Sequence, residues 1–229
     1  MPKHIGIVAC SAEGAALCYR TICDEAPAVM GRHRHPEVSM HTHCLADYMD
    51  YIYAGDWRGV ANLMLSSANK LKAGGANFLI CPDNTIHHAF DLVALKSPLP
   101  WLHIVEEVAK VAEQRGFRKL GITGTKYTME GTVYPQKLAA AGIEYVVPSA
   151  SERKRIDDII FDELVNGIFT DESRMYFREV IGRMSNQGCD AVVLGCTEIP
   201  LIVDDSSSPL PTLDSTRILA RAAIRKALE

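Results

Sequence analysis

Short apolar runs alternate with longer stretches of helical periodicity along most of the chain. Runs at 4–9, 37–42, 77–81, 101–105, 119–123, 143–147 and 190–194 have the length of buried strands. Between them lie helical patterns. From Asp56 to Ala73, the residues Val60, Leu63, Met64, Ser67 and Leu71 share one face, and Gly74-Gly75 end the pattern. A second helical region runs from Ser151 to Gln187, with a break expected between Gly167 and Thr170. A last helix is expected to start at Asp214-Ser215, both good capping residues, and to turn Ile218, Leu219 and Ala222 inward. This alternation predicts an α/β fold with mostly parallel sheet flanked by helices.

The chain also repeats itself weakly. The segment from Gly74 to Thr85 lies without gaps on the segment from Gln187 to Glu198. Each carries a glycine, a short apolar strand and a polar loop. A shift that agrees within two residues pairs His4–Val8 with Lys119–Thr123. Two pseudo-symmetric lobes follow: about 1–99 plus the last helix (211–229), and about 100–210. In this overlay Asp83 falls on Cys196, so a pseudo-twofold puts the two side chains on opposite walls of one cleft between the lobes.

Bulk composition narrows the function without naming it. With 48% hydrophobic residues in 229, a real core can be buried, in one large domain or two small ones. A net charge of −4 with no basic stripe argues against a nucleic-acid partner. No apolar run approaches membrane-spanning length, and the opening segment reads as a strand rather than a signal peptide. Seven cysteines with no CxxC pair suit reduced thiols and a cytoplasmic setting.

The candidate chemistry sits in loops at the carboxyl ends of expected parallel strands, where open α/β sheets bind ligands. Two are Pro82-Asp83-Asn84-Thr85 and Gly195-Cys196-Thr197-Glu198; the others contain Ser11 and, in the second lobe, Thr125 and Thr128. Hydroxyl and amide donors dominate. Helices expected from about Ile86 and Ile199 would aim backbone N–H groups at the same place. The sum suits a small carboxylate rather than a phosphate, since neither a Walker loop nor GxGxxG is present. Each residue also has a structural reading. Asp83, Asn84 and Thr85 are good helix caps, and Cys196 is a small residue that packs well. A thiol before a helix start, however, is more easily ionised. Cys81, inside a strand, reads as core, and Cys10 ranks below Cys196. His87 reads as a residue behind the site, and Glu198 as one that orients the thiol or caps a turn. His87 and His88 lack partners at metal-ligand spacing, so no metal is expected.

Pro82-x-Asn84-Thr85-x-His87, the run from Gly121 to Met129, and Gly195-Cys196-Thr197-Glu198 together resemble the aspartate/glutamate racemase family. The resemblance spans nearly the whole chain. It implies an amino-acid racemase that needs no pyridoxal phosphate or other cofactor, works as a homodimer and binds its substrate between the lobes. Ser11, Asn84, Thr85, Thr125, Thr128 and Thr197 would hold the substrate. Two cysteines flank the α-carbon in the family; Cys196 matches one, and the other position is Asp83. Asp–COO⁻ with Cys–SH is favoured over the reverse proton distribution by about 4.6 pKa units, or roughly 6 kcal/mol, from reference values. Where relatives place Arg or Gln for an acidic substrate side chain, this chain has Asp50–Ala54, with His41, His43 and Tyr48 nearby, which leaves acidic and neutral side chains open. Two other activities suit one retained thiol: arylmalonate-type decarboxylation, and non-catalytic binding of a small carboxylate.

Overall fold

A computed structural model describes residues 1–229. The chain forms two compact units, Met1–Ile104 with Thr216–Glu229, and Val105–Ser215. The first contains β1 (Ile5–Ala9), α1 (Ala12–Glu25), α2 (Pro27–Met30), β2 (Val38–Thr42), α3 (Leu45–Ala54), α4 (Trp57–Ala73), β3 (Phe78–Ile80), α5 (Phe90–Ala94) and β4 (Trp101–Leu102). Helix α6 (Ile104–Gln114) leads into the second. There follow β5 (Lys119–Gly124), α7 (Lys126–Glu130), α8 (Val133–Ala140), β6 (Glu144–Val146), α9 (Ala150–Asp158), α10 (Asp171–Asn186), β7 (Ala191–Gly195) and β8 (Thr212–Asp214). Helix α11 (Ser215–Leu228) belongs to the first unit from Thr216 onward.

Each unit is built on one four-stranded sheet. The orders are β2-β1-β3-β4 and β6-β5-β7-β8, and every pairing is parallel. All residues of β1 and β7 are buried. Parallel strands hidden on both faces lose the alternating pattern and read as continuous apolar runs, which is why the sequence reveals them. No helix is long and apolar enough to cross a membrane.

The internal repeat extends to individual backbone bonds. Gly75 and Gly188, matched in the overlay, leave their helices at φ +94° and +84°, a conformation that costs glycine little. The next residues, Ala76 and Cys189, donate back to Leu71 O and Met184 O at 3.0 and 3.1 Å. The side chains of Asn77 and Asp190 accept from the backbone N–H of His4 and Lys119, at 2.7 and 3.0 Å. Leu79 and Val192 donate to Pro100 O and Pro211 O at 2.8 and 2.9 Å. Such agreement reaches well beyond the common likeness of any two βα units.

Helix α4 begins where expected. Asp56 Oδ1 accepts from Gly59 N at 3.0 Å, and Val60, Met64, Ser67 and Leu71 are buried. Ser67 is tolerated on that face because its hydroxyl pairs with His41 Nδ1 at 2.9 Å.

Three parts of this framework differ from the sequence expectation. The strand expected at 101–105 ends at Leu102, and α6 starts at Ile104. Strand β8 was not foreseen, since three residues between Pro211 and a helix carry no periodicity. The helical region from Ser151 changes character well before Gly167: α9 passes into a π turn at Ile159–Glu163 and a 3-10 turn at Leu164–Asn166. Gly167, at φ +73°, then ends it, and Thr170 caps α10 by accepting from Ser173 N at 3.1 Å.

Candidate active site in the strand-end loops

In the first unit the loop after β3 is fixed from within. Asp83 Oδ1 accepts from Ile86 N at 3.1 Å, and Asp83 O accepts from His87 Nδ1 at 2.6 Å. A carbonyl only accepts, so His87 Nδ1 carries the proton. Its Nε2 faces the Ile104 N–H at 3.4 Å, so the ring is the neutral Nδ1–H tautomer. His87 is buried and stacks on Phe90, with His103 at its edge. It holds the backbone under Asp83 and ties it to the first residue of α6. Asn84 is buried, while Asp83 and Thr85 are partly exposed. Ser11 lies two residues beyond β1, which pairs with β3, and caps α1 by accepting from Gly14 N at 3.3 Å.

Two further groups lie close enough to Asp83 to feel its charge. Burial, followed by the nearby Asp83 carboxylate, pushes the Cys81 thiol well above its ordinary value. Burial first, then Cys81, Cys10 and Asp83, does the same to the Tyr48 phenol. Cys81 and Tyr48 are thus kept neutral behind the loop, and Tyr48 is fully buried. His41 and His43, singled out with Tyr48, meet edge to face at 4.9 Å. His41 Nε2 accepts from Lys70 Nζ at 2.9 Å.

In the second unit Cys196, partly exposed, follows the last residue of β7. Its Sγ donates to Glu198 Oε2 at 2.9 Å, and Thr197 Oγ1 donates to the same oxygen at 2.7 Å. Glu198 is buried, so one carboxylate oxygen fixes both side chains. Thr125 and Thr128 stand beside this loop. Thr125 Oγ1 accepts from Thr128 N at 3.3 Å, and the two hydroxyls are also 3.3 Å apart. Gly124 pairs with Gly195 at the end of the sheet. A Cβ on Gly195 would stand 2.6 Å from Thr123 O and 3.0 Å from Thr128 Cγ2. Glycine is required here by the close approach of two strands, and that approach seats Thr128 against the Cys196 loop.

The helices expected from about Ile86 and Ile199 start as 3-10 turns, Thr85–Ala89 and Ile199–Leu201; the first continues into α5 at Phe90, and the second ends as a single turn. Pro200 deprives the second of a backbone donor. So short a turn carries little macrodipole, and the immediate partner of the Cys196 thiol is the Glu198 carboxylate. That arrangement favours the thiol, not the thiolate expected from a helix start.

Two contributors were not visible in the sequence. Tyr134 is buried on α8, with its hydroxyl 3.7 Å from the Cβ position of Gly195. It hydrogen-bonds Ser215, and burial raises it above its ordinary value. Ser215 Oγ in turn donates to Leu194 O at 3.0 Å. Together they brace the strand end that carries Cys196. Both lie far from the loop in sequence, in segments with no motif of their own. No three His, Cys, Asp or Glu side chains are grouped to hold a metal ion.

Two four-stranded parallel sheets, each with a polar loop at equivalent strand ends, define a racemase-type α/β fold. The chain belongs to the Asp/Glu/Hydantoin racemase family, whose model matches residues 5–223. A Yersinia pestis protein provisionally assigned as an Asp/Glu racemase superposes with a TM-score of 0.91 at 33% identity, over 99% of this chain and 100% of that one. An aspartate racemase homologue from Pyrococcus horikoshii OT3 gives 0.87 at 28% identity, over the whole of both chains. The broad specificity amino-acid racemase RacX of Bacillus subtilis is 24% identical over 161 residues, 70% of this chain and 69% of that protein. Membership is consistent with an isomerase that acts on amino acids.

Proposed function

We propose that the protein is a cofactor-independent amino-acid racemase in which Asp83 and Cys196 are the two bases. The observation that carries this reading is the equivalence of the two loops. Asp83 and Cys196 occupy the same position after matched strands of two topologically identical sheets. Each is fixed by a neighbour: His87 behind Asp83, and Glu198 beside Cys196.

In this reading the resting enzyme holds Cys196 as a thiol and Asp83 as the carboxylate, the order of their reference acidities, and the Cys196–Glu198 contact supports it. Asp83 takes the α-proton of one enantiomer, and the Cys196 thiol gives its proton to the opposite face. The enzyme is left as Asp–COOH and Cys–S⁻, the form that accepts the other enantiomer. Enantiomers are equal in energy, so catalytic efficiency is the same in both directions. Hydroxyl and amide donors of Ser11, Asn84, Thr85, Thr125, Thr128 and Thr197 bind the substrate carboxylate and stabilise the enolate-like transition state.

Proton NMR in D₂O with a panel of L-amino acids, followed by chiral analysis, tests the proposal. Exchange with inversion is expected, and Cys196→Ala should abolish it. Absence of exchange with every amino acid would overturn the racemase reading. Turnover that survived Cys196→Ala would remove the role given to its loop. Release of carbon dioxide from an arylmalonate would favour the decarboxylase alternative.

A further inference from the structure

The second unit contains a surface cavity of about 260 Å³, large enough for a compact ligand and smaller than a drug-sized site. Its lining combines opposite charges with an apolar floor. Arg174 and Arg178 come from α10, and Asp204 from the segment after Ile202; Ile181, Leu201 and Val203 supply apolar surface. The two arginines are four residues apart on one helix, an arrangement in which like charges repel. Arg174 donates to Ile202 O at 3.3 Å and lies 3.9 Å from Asp171. Arg178 has neither a hydrogen bond nor an ion pair, so the charge facing the cavity is only partly answered.

Asp204 is organised differently. Oδ1 accepts four hydrogen bonds, from the backbone and hydroxyl groups of Ser206 and Ser207, at 2.7 to 3.0 Å. Oδ2 receives none. The serine bonds hold the carboxyl below its ordinary value and keep it ionised. The cavity therefore offers guanidinium donors for a carboxylate, one spare carboxylate oxygen for an ammonium, and apolar surface for a side chain.

We propose that this cavity is an effector site for a free amino acid with an apolar side chain, bound as its zwitterion. A simple anion would leave Asp204 repelling it, and a simple cation would meet two arginines. The site lies entirely within the second unit and does not depend on the racemase reading. Its wall is continuous with the catalytic-loop candidate: Pro200 and Leu201 belong to the 3-10 turn that directly follows Glu198. Occupancy thus acts on the segment that carries the Cys196 partner.

Calorimetric titration of the full chain with L-leucine, and with isocaproate as its analogue lacking the ammonium, tests the assignment. Arg178 and Asp204 are exposed, so Arg178→Gln and Asp204→Asn leave the fold intact. Each should weaken one class of leucine site at least about tenfold, with α-proton exchange in the absence of leucine unchanged. Isocaproate should bind wild type about tenfold more weakly than leucine. Leucine should also alter the alkylation rate of Cys196 in wild type and not in Arg178→Gln. Leucine binding untouched by both substitutions, or absent altogether, overturns the proposal. Equal affinity for isocaproate overturns the zwitterion assignment, and alkylation unaffected by leucine overturns the coupling. None of these outcomes bears on whether Asp83 and Cys196 exchange protons.

Discussion

Replacing Gly195 by alanine would set a methyl group 2.6 Å from Thr123 O and 3.0 Å from Thr128 Cγ2. Neither neighbour yields easily. Thr123 is the penultimate residue of β5, an inner strand of its sheet, and its own hydroxyl donates to Val193 O at 2.7 Å. Thr128 is buried and bonded to Thr125. Overpacking of this kind costs about 1–3 kcal/mol. In a chain of this size each kcal/mol lowers Tm by about 2–4 °C, so a drop of about 2–12 °C is expected by calorimetry. Activity should suffer more than stability. Relieving the contact shifts either the Cys196 loop or Thr128, and a misplacement of about 1 Å at a reacting centre costs on the order of 100-fold in rate. Gly182→Ala is the matched control. It lies within α10 with nothing within 4 Å of its Cβ position, and should be neutral or stabilising by up to about 1 kcal/mol. Wild-type Tm and α-proton exchange in Gly195→Ala would refute the argument that strand approach imposes this glycine.

Three further outcomes follow from individual contacts. Asp83→Asn keeps the acceptor for Ile86 N while removing the base, so stability should change by no more than about 0.5 kcal/mol and exchange should disappear; loss of stability without loss of exchange would reverse the roles given to this side chain. Glu198→Gln removes the charge that holds the Cys196 proton and should speed alkylation of Cys196 about tenfold, read by peptide mass spectrometry; an unchanged or slower rate would mean that the carboxylate does not restrain the thiol. Desolvation, then Lys70 and His43, holds His41 below its ordinary value, so the unfolded chain binds this proton more readily than the folded one. That contribution is complete above about pH 6.5 and is lost as pH falls below it. Urea midpoints measured across this range should drop toward acid, and His41→Gln should flatten the slope; an identical slope in the variant would show that His41 is not responsible.

Several features were legible in the sequence because they depend on local chemistry. Buried parallel strands read as apolar runs, Asp56 marked a helix start by its capping group, and Asp214-Ser215 marked another by residue type. Gly75 and Gly188 could be aligned because the turns that end α4 and α10 need the same backbone shape. The proposal that Asp83 and Cys196 act together rests on that alignment. Strand β8 escaped because three residues carry no period. The turns after both loops were taken for helices because capping residues announce a 3-10 turn and an α-helix alike.

By itself, then, the sequence determined the two-lobed α/β plan, its repeat and the polar loops at equivalent strand ends. These follow from burial periodicity and backbone preference, which act over a few residues. Tertiary structure decided what each group faces. Glu198 turns one oxygen to both Cys196 and Thr197, His87 fixes its tautomer by spanning Asp83 O and Ile104 N, and Gly195 is compelled by Thr123 and Thr128. Tyr134 and Ser215 reach the same strand end from distant segments. Hydrogen bonds and steric contacts between residues far apart in the chain exist only once the strands have paired, so no local pattern encodes the resulting state of the Cys196 thiol.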